Sequence, residues 1–167
     1  MTAASRRIVL SLLSRLALAA AAGVAPAAAL HAQVPFDSHR NQSIGAVAGI
    51  TTGSGVAYQE ILPSAFGYRA TIFGWNVGDS EFLDVGLAGL RVLSDDGRSR
   101  IYLIAGGSIW RWSDDEEDKE SWSAGAGAGV ELPLSTRTVV ALEGLFTYWD
   151  ETGDFLPLPQ IAVQYLF

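Results

Sequence analysis

SWSAGAGAGVEL, residues 121–132, alternates without a break. In an extended chain Trp122, Ala124, Ala126, Ala128, Val130 and Leu132 fall on one side, with Ser123, Gly125, Gly127, Gly129 and Glu131 on the other. A period of two specifies a strand, and each of the three glycines would cost a helix about 1 kcal/mol relative to alanine. The sorting matters more than the period. One face is wholly apolar, while the other holds small residues and a single carboxylate. A water-soluble barrel points its large apolar residues inward and its charges outward. The same sorting recurs in 136–149, where Val140, Leu142, Phe146 and Tyr148 oppose Ala141, Glu143 and Thr147. It recurs again at the end, where Ile161, Val163, Tyr165 and Phe167 oppose Ala162, Gln164 and Leu166. An apolar outer face around a narrow, partly polar interior suits a barrel whose outer solvent is hydrocarbon.

Working outward from this stretch, the chain divides into eight such runs. They are Ser43–Ile50, Val56–Leu62, Phe66–Val77, Glu81–Leu93, Arg100–Trp112, Ser121–Leu132, Thr136–Trp149 and Pro157–Phe167. The connectors TTGSG, PSA, GDS, SDDGRS, SDDEEDKE, PLST and DETGDF are rich in the Gly, Asp, Ser and Pro that turns require. Asp96-Gly97 between two apolar runs is a hairpin signal. Short links between consecutive runs predict an antiparallel up-and-down meander. Most runs supply the roughly 9–11 residues that a tilted transmembrane strand needs.

Composition narrows the function classes. With 18 Asp and Glu against 11 Lys and Arg, the chain lacks the basic stripe of a nucleic-acid binder. The absence of Cys excludes disulfide scaffolds, thiolate metal sites and a cysteine nucleophile. Charged residues make up only 17%, low beside about a quarter in soluble domains. Residues 1–32 read as an address: Arg6, Arg7 and Arg15 precede the apolar LALAAAAGV (16–24), then Pro26 and the run Ala27-Ala28-Ala29, with cleavage expected after Ala32. This is the pattern of a cleavable signal peptide. The ten residues between Arg15 and Pro26 are too few to cross a core of about 30 Å as a helix. Residues 33–42 then form a short periplasmic lead, and 43–167 the barrel. Removal of the signal leaves 8 basic residues against 18 acidic ones.

Parity assigns candidate sites. Arg69, Asp84, Glu131 and Glu143 fall on faces read as inward, and lone inward charges should pair into a lumen polar network. Phe73 and Trp75 share the parity of Arg69, which weakens that register. Tyr102, Trp110, Trp112, Trp122 and Tyr148 lie near strand ends and are expected to form interfacial aromatic girdles. The acidic run Asp114–Glu120 is read as a solvated loop rather than a cation site, because it lacks the glycine and alternating ligands of a calcium loop. With both termini on the periplasmic side, the acidic connectors are the extracellular ones, and Arg98, Arg100 and Arg137 mark the opposite end.

From Ser43 onward the chain resembles the small outer-membrane β-barrel proteins of the OmpA/OmpX type. The most specific piece is the terminus IAVQYLF, where Ile161, Val163, Tyr165 and Phe167 match the alternating aromatic-ended signal read by the barrel assembly machinery. The resemblance implies an all-β fold: an eight-stranded antiparallel transmembrane barrel, preceded by the cleaved signal; without a peptidoglycan-binding domain after it, the barrel alone is expected. It implies outer-membrane lipid and the assembly machinery as partners, but no single activity. Enzymatic chemistry is not expected. His39 lies before the first strand and no His follows it, so neither a Ser–His nucleophile pair nor an imidazole metal site can be built on the barrel wall. No cofactor is expected. The function expected is structural or surface-interacting, with a largely side-chain-filled lumen. The alternatives are a narrow channel for water, ions or very small solutes, and a soluble periplasmic ligand-binding barrel.

Overall fold

The computed structural model describes residues 40–78, 80–114 and 118–167. The stretch read as a signal peptide and most of the lead lie outside them. Eight strands follow in chain order: β1 (Gln42–Ala48), β2 (Gly55–Ile61), β3 (Phe66–Val77), β4 (Ser80–Asp95), β5 (Arg100–Ser113), β6 (Asp118–Pro133), β7 (Thr138–Trp149) and β8 (Asp154–Leu166). Each pairs antiparallel with its neighbour, and β1 pairs with β8, so the sheet closes into a barrel. Closure removes the edges that would otherwise leave backbone groups unpaired.

Turn chemistry at one end is local. Gly97 adopts φ 72°, and the Asp96 carboxylate accepts the backbone N–H groups of Arg98 and Ser99 at 2.8 and 2.7 Å. At the other end the strands run further than the sequence suggested. Ser113 pairs with Asp118, so the last three residues of the acidic run Asp114–Glu120 belong to β6 rather than to a loop. β8 likewise begins at Asp154, before the expected Pro157.

The two faces separate as the alternation requires. On the outer face, large apolar side chains stand open, such as Ile72 at 57% exposure, Leu87 at 63% and Phe146 at 71%. On the inner face even charged side chains are sealed, Arg69 at 0%. The wall is not uniform in height. β1 and β2 have 7 residues each, whereas β3 to β6 have 12 to 16. Pairing of β2 with β3 stops at Val56–Ile72, and pairing of β6 with β7 stops at Ser123–Trp149. The far ends of β3 to β6, and the β7–β8 hairpin up to Trp149 and Asp154, therefore rise above the closed part of the barrel, which is open where β1 and β2 stop.

Candidate functional site

The closed part of the barrel holds a continuous polar network. Arg69 lies beside Gln59 in the β2–β3 register, and its Nε and Nη2 donate to Gln59 Oε1 at 2.9 and 2.8 Å. Its Nη1 forms a salt bridge to Glu143 Oε1 at 2.7 Å, with both side chains fully buried. Tyr102 donates its hydroxyl to the same Glu143 oxygen. It reaches across β6 because Gly129 stands between them in register: a Cβ there would lie 2.7 Å from Tyr102 Cζ and 2.8 Å from Glu143 Cγ. Gln59 also donates to Glu131 Oε1 at 2.7 Å, and Arg100 Nη1 pairs with Glu131 Oε2 at 3.0 Å. Arg100 Nε pairs with Asp95 at 2.9 Å, which links the network to the periplasmic rim of the expected topology. Two arginines, two buried glutamates and an amide thus satisfy one another, as buried charges must.

A second device closes the lumen. The β1–β2 connector, Gly49–Ser54, turns into the barrel instead of away from it. Thr51 and Thr52 are buried. The Ile50 carbonyl accepts the hydroxyls of Ser108 at 2.9 Å and Ser123 at 2.7 Å, and Thr51 Oγ1 lies 2.5 Å from Thr147 Oγ1. Gln160 Nε2 donates to Thr52 Oγ1 at 2.6 Å and to Glu143 Oε2 at 2.5 Å, joining this plug to the network below. Gly86 provides the space, because a Cβ there would sit 2.0 Å from the Thr52 carbonyl oxygen. The hydroxyls and amide of four strands, β5 to β8, therefore hold a loop across the bore.

Four residues singled out by parity separate in the structure. Arg69, Glu131 and Glu143 lie in one network. Asp84 does not reach it: Asp84 sits higher, beside the plug, where its Oδ2 accepts the Ser54 N–H at 2.8 Å. Gln59, Tyr102, Arg100 and Gln160 belong to the network and were not assigned to it. Arg100, expected among the end cations, turns its side chain inward and is 2% exposed.

The girdle assignment needs a larger correction. Tyr102, Trp110 and Trp112 share the parity of buried Ile104 and Ser108, so all three face inward. Tyr102 serves the network, and the two tryptophans join Phe73, Trp75 and Phe82 on the inner side of the raised sheet. Both faces of β5 are apolar, Ile101, Leu103 and Ile109 on one and Ile104 and Trp110 on the other, so composition could not fix its register. Trp122 and Tyr148 do lie on the outer face, 5.3 Å apart, and Phe155 is 5.3 Å from Tyr148. At the opposite end, Tyr58 and Tyr68 both donate to Glu60, and Arg91 stacks on Phe66 at 4.3 Å. Val163 and Tyr165 are exposed on the outer face of β8 with Ile161 partly so, Phe167 is exposed just beyond its end, and Arg137 Nη1 donates to the Tyr165 hydroxyl at 3.1 Å.

Among the described residues no group of His, Asp and Glu is placed to hold a metal ion. No family model matches the chain, and no curated protein matches its sequence. Solved structures do. The N-terminal β-barrel domain of OprF from Pseudomonas aeruginosa is similar, with 15% identity and a TM-score of 0.52 over 76% of this chain and 96% of that one. Ail, the attachment invasion locus protein of Yersinia pestis, aligns over 76% of this chain and 97% of its own at 14% identity and a TM-score of 0.40. The likeness to the OprF domain is one of fold: a closed, eight-stranded antiparallel barrel.

Proposed function

We propose that this chain is an integral outer-membrane β-barrel with a structural or surface-interaction role and a closed lumen. One observation carries the reading: the barrel turns open apolar side chains outward on strand after strand and seals Arg69, Arg100, Glu131 and Glu143 inside. In water that distribution would be inverted. In a bilayer the outer apolar band meets hydrocarbon, and the aromatic groups at its two ends, Trp122, Tyr148 and Phe155 at one and Phe66, Tyr68 and Tyr165 at the other, sit at the interfaces. The fold shared with the OprF barrel domain is consistent with this setting. Export by residues 1–32 and recognition of Ile161, Val163, Tyr165 and Phe167 by the assembly machinery complete the proposal. No catalytic role is proposed.

The test is cellular fractionation with gel mobility. The expected result is recovery in the outer-membrane fraction, release only by detergent, and different migration of unheated and boiled samples. Recovery in the soluble periplasmic fraction would overturn the reading in favour of a ligand-binding barrel. Deleting Phe167 is expected to lower membrane levels in cells while refolding in detergent changes little.

A further inference from the structure

Above the plug the inner face changes character. Trp75 lies 6.5 Å from Phe82 in a stacked arrangement and 5.3 Å from Trp112 edge-on, and Phe82 lies 6.4 Å from Trp110 and 6.1 Å from Phe73. β1 and β2 do not extend to the height of these rings, since β1 ends at Ala48 and β2 begins at Gly55, which leaves the wall open beside β3. Phe73 is accordingly 44% exposed, and the other four rings are partly open. At the base, Asp84 is the cross-strand neighbour of both Phe73 and Trp110. Its side chain is 7% exposed; one oxygen accepts the Ser54 N–H, and Oδ1 has no hydrogen-bond partner among the described residues. Among the described residues of 78–84, 109–120 and 150–154, which end or connect the strands here, eight are acidic and two are basic. Of those two, Arg111 has outward parity, and Lys119 stands beside Trp112 at the β6 margin.

An open surface of five packed rings marks a binding face. Ring faces attract cations, and a dense acidic rim concentrates them. A neutral sugar would stack on the rings but gain nothing from the rim, and an acyl chain would be opposed by the carboxylates. We infer that the inner face of the raised β3–β5 sheet binds a basic peptide segment, with Arg or Lys side chains laid over Phe82, Trp110 and their neighbours. The inference deepens the surface-interaction role proposed above and rests on it for the face being presented outside the cell.

The experiment titrates the refolded barrel, in nonionic polyoxyethylene micelles, with an oligo-arginine peptide, an oligo-glutamate of equal length and maltohexaose. Tryptophan fluorescence and calorimetry report binding. Saturable binding of oligo-arginine alone is expected, weakening as salt rises. Phe82→Leu with Trp110→Leu keeps apolar bulk and every acid but removes two rings, and should weaken binding about tenfold. Retained heat-modifiable migration verifies that variant's fold, and Trp75→Leu with Trp112→Leu at the sheet tip replaces it if needed. Unchanged affinity in both ring variants, preference for maltohexaose, or no saturable binding would overturn the inference. Failure here leaves the membrane fractionation result standing. A soluble barrel that still bound oligo-arginine would overturn the membrane reading alone.

Discussion

Below and above the Gly49–Ser54 loop, the same inner face of the same strands does opposite things. Below it, Arg69 and Glu143 are fully enclosed and paired at 2.7 Å. Above it, Phe73, two steps of alternation further along β3, is 44% exposed among other rings. The difference follows from the missing wall. Where eight strands enclose the bore, each polar group must find a partner, and charges that do so fix one arrangement. Where β1 and β2 stop short, the inner face meets whatever lies outside, and rings can stand open there. Inside and outside are thus properties of height as well as of parity in this barrel.

The sharpest way to break the lower region is to remove its central cation. Arg69→Met should cost about 3–5 kcal/mol, because it strands a buried Glu143. Arg69→Met with Glu143→Gln should recover part of that loss, a coupling that equilibrium urea unfolding in lipid or detergent measures. The outer wall gives the next largest effect. Leu142→Arg near mid-barrel should cost about 2–4 kcal/mol in vesicles and much less in detergent. Equal penalties in both would mean that Leu142 does not face hydrocarbon. Ala141→Arg on the inner face should also be costly, because Ala141 is fully buried against Val47, Ala57 and Ala162.

The boundary between the two regions can be moved. Gly86→Ala drives a Cβ into the Thr52 carbonyl and should destabilise by about 1–3 kcal/mol while loosening the plug. Dye leakage from proteoliposomes, low in the parent, should rise in this variant. Above the boundary the costs are smaller: Phe82→Ala removes partly open ring contacts and should lower stability by about 1 kcal/mol.

The smallest effect lies at the opposite rim. Backbone N–H groups of Arg98 and then Ser99 hold the Asp96 carboxyl below the usual range. Its contribution is therefore complete above the unfolded pKa of about 4 and is lost as pH falls through the lower folded value. Asp96→Ala should remove that acid limb from the pH–stability curve without changing its shape near neutrality.

Much of this architecture is legible in the sequence, because hydrophobic alternation and turn chemistry are local signals. SWSAGAGAGVEL sorts its residues unambiguously, VVALEGLFTYW less cleanly because Val139, Leu145 and Trp149 share the face of Glu143, and the strands they predict pair as a meander. The parity that puts Glu131 and Glu143 on one face is visible in those runs. What alternation does not carry is contact between distant strands. That Tyr102 crosses Gly129 to Glu143, or that TTGSG folds inward over Gly86, depends on which strands face each other across the bore. Trp110 and Trp112 misled for a related reason. Aromatic residues near strand ends suggest an interfacial girdle only if the face is known, and β5 is apolar on both. The exposed rings above a shortened wall look, in sequence, like rings at a lipid surface.

The most direct test combines insertion with closure. Refolded protein is reconstituted into vesicles, floated on a density gradient, and assayed in the same fraction for ion and dye flux. The account predicts that the chain floats with the vesicles and that flux stays close to that of protein-free vesicles. Failure to float, or steady large-pore flux from the intact protein, would contradict it.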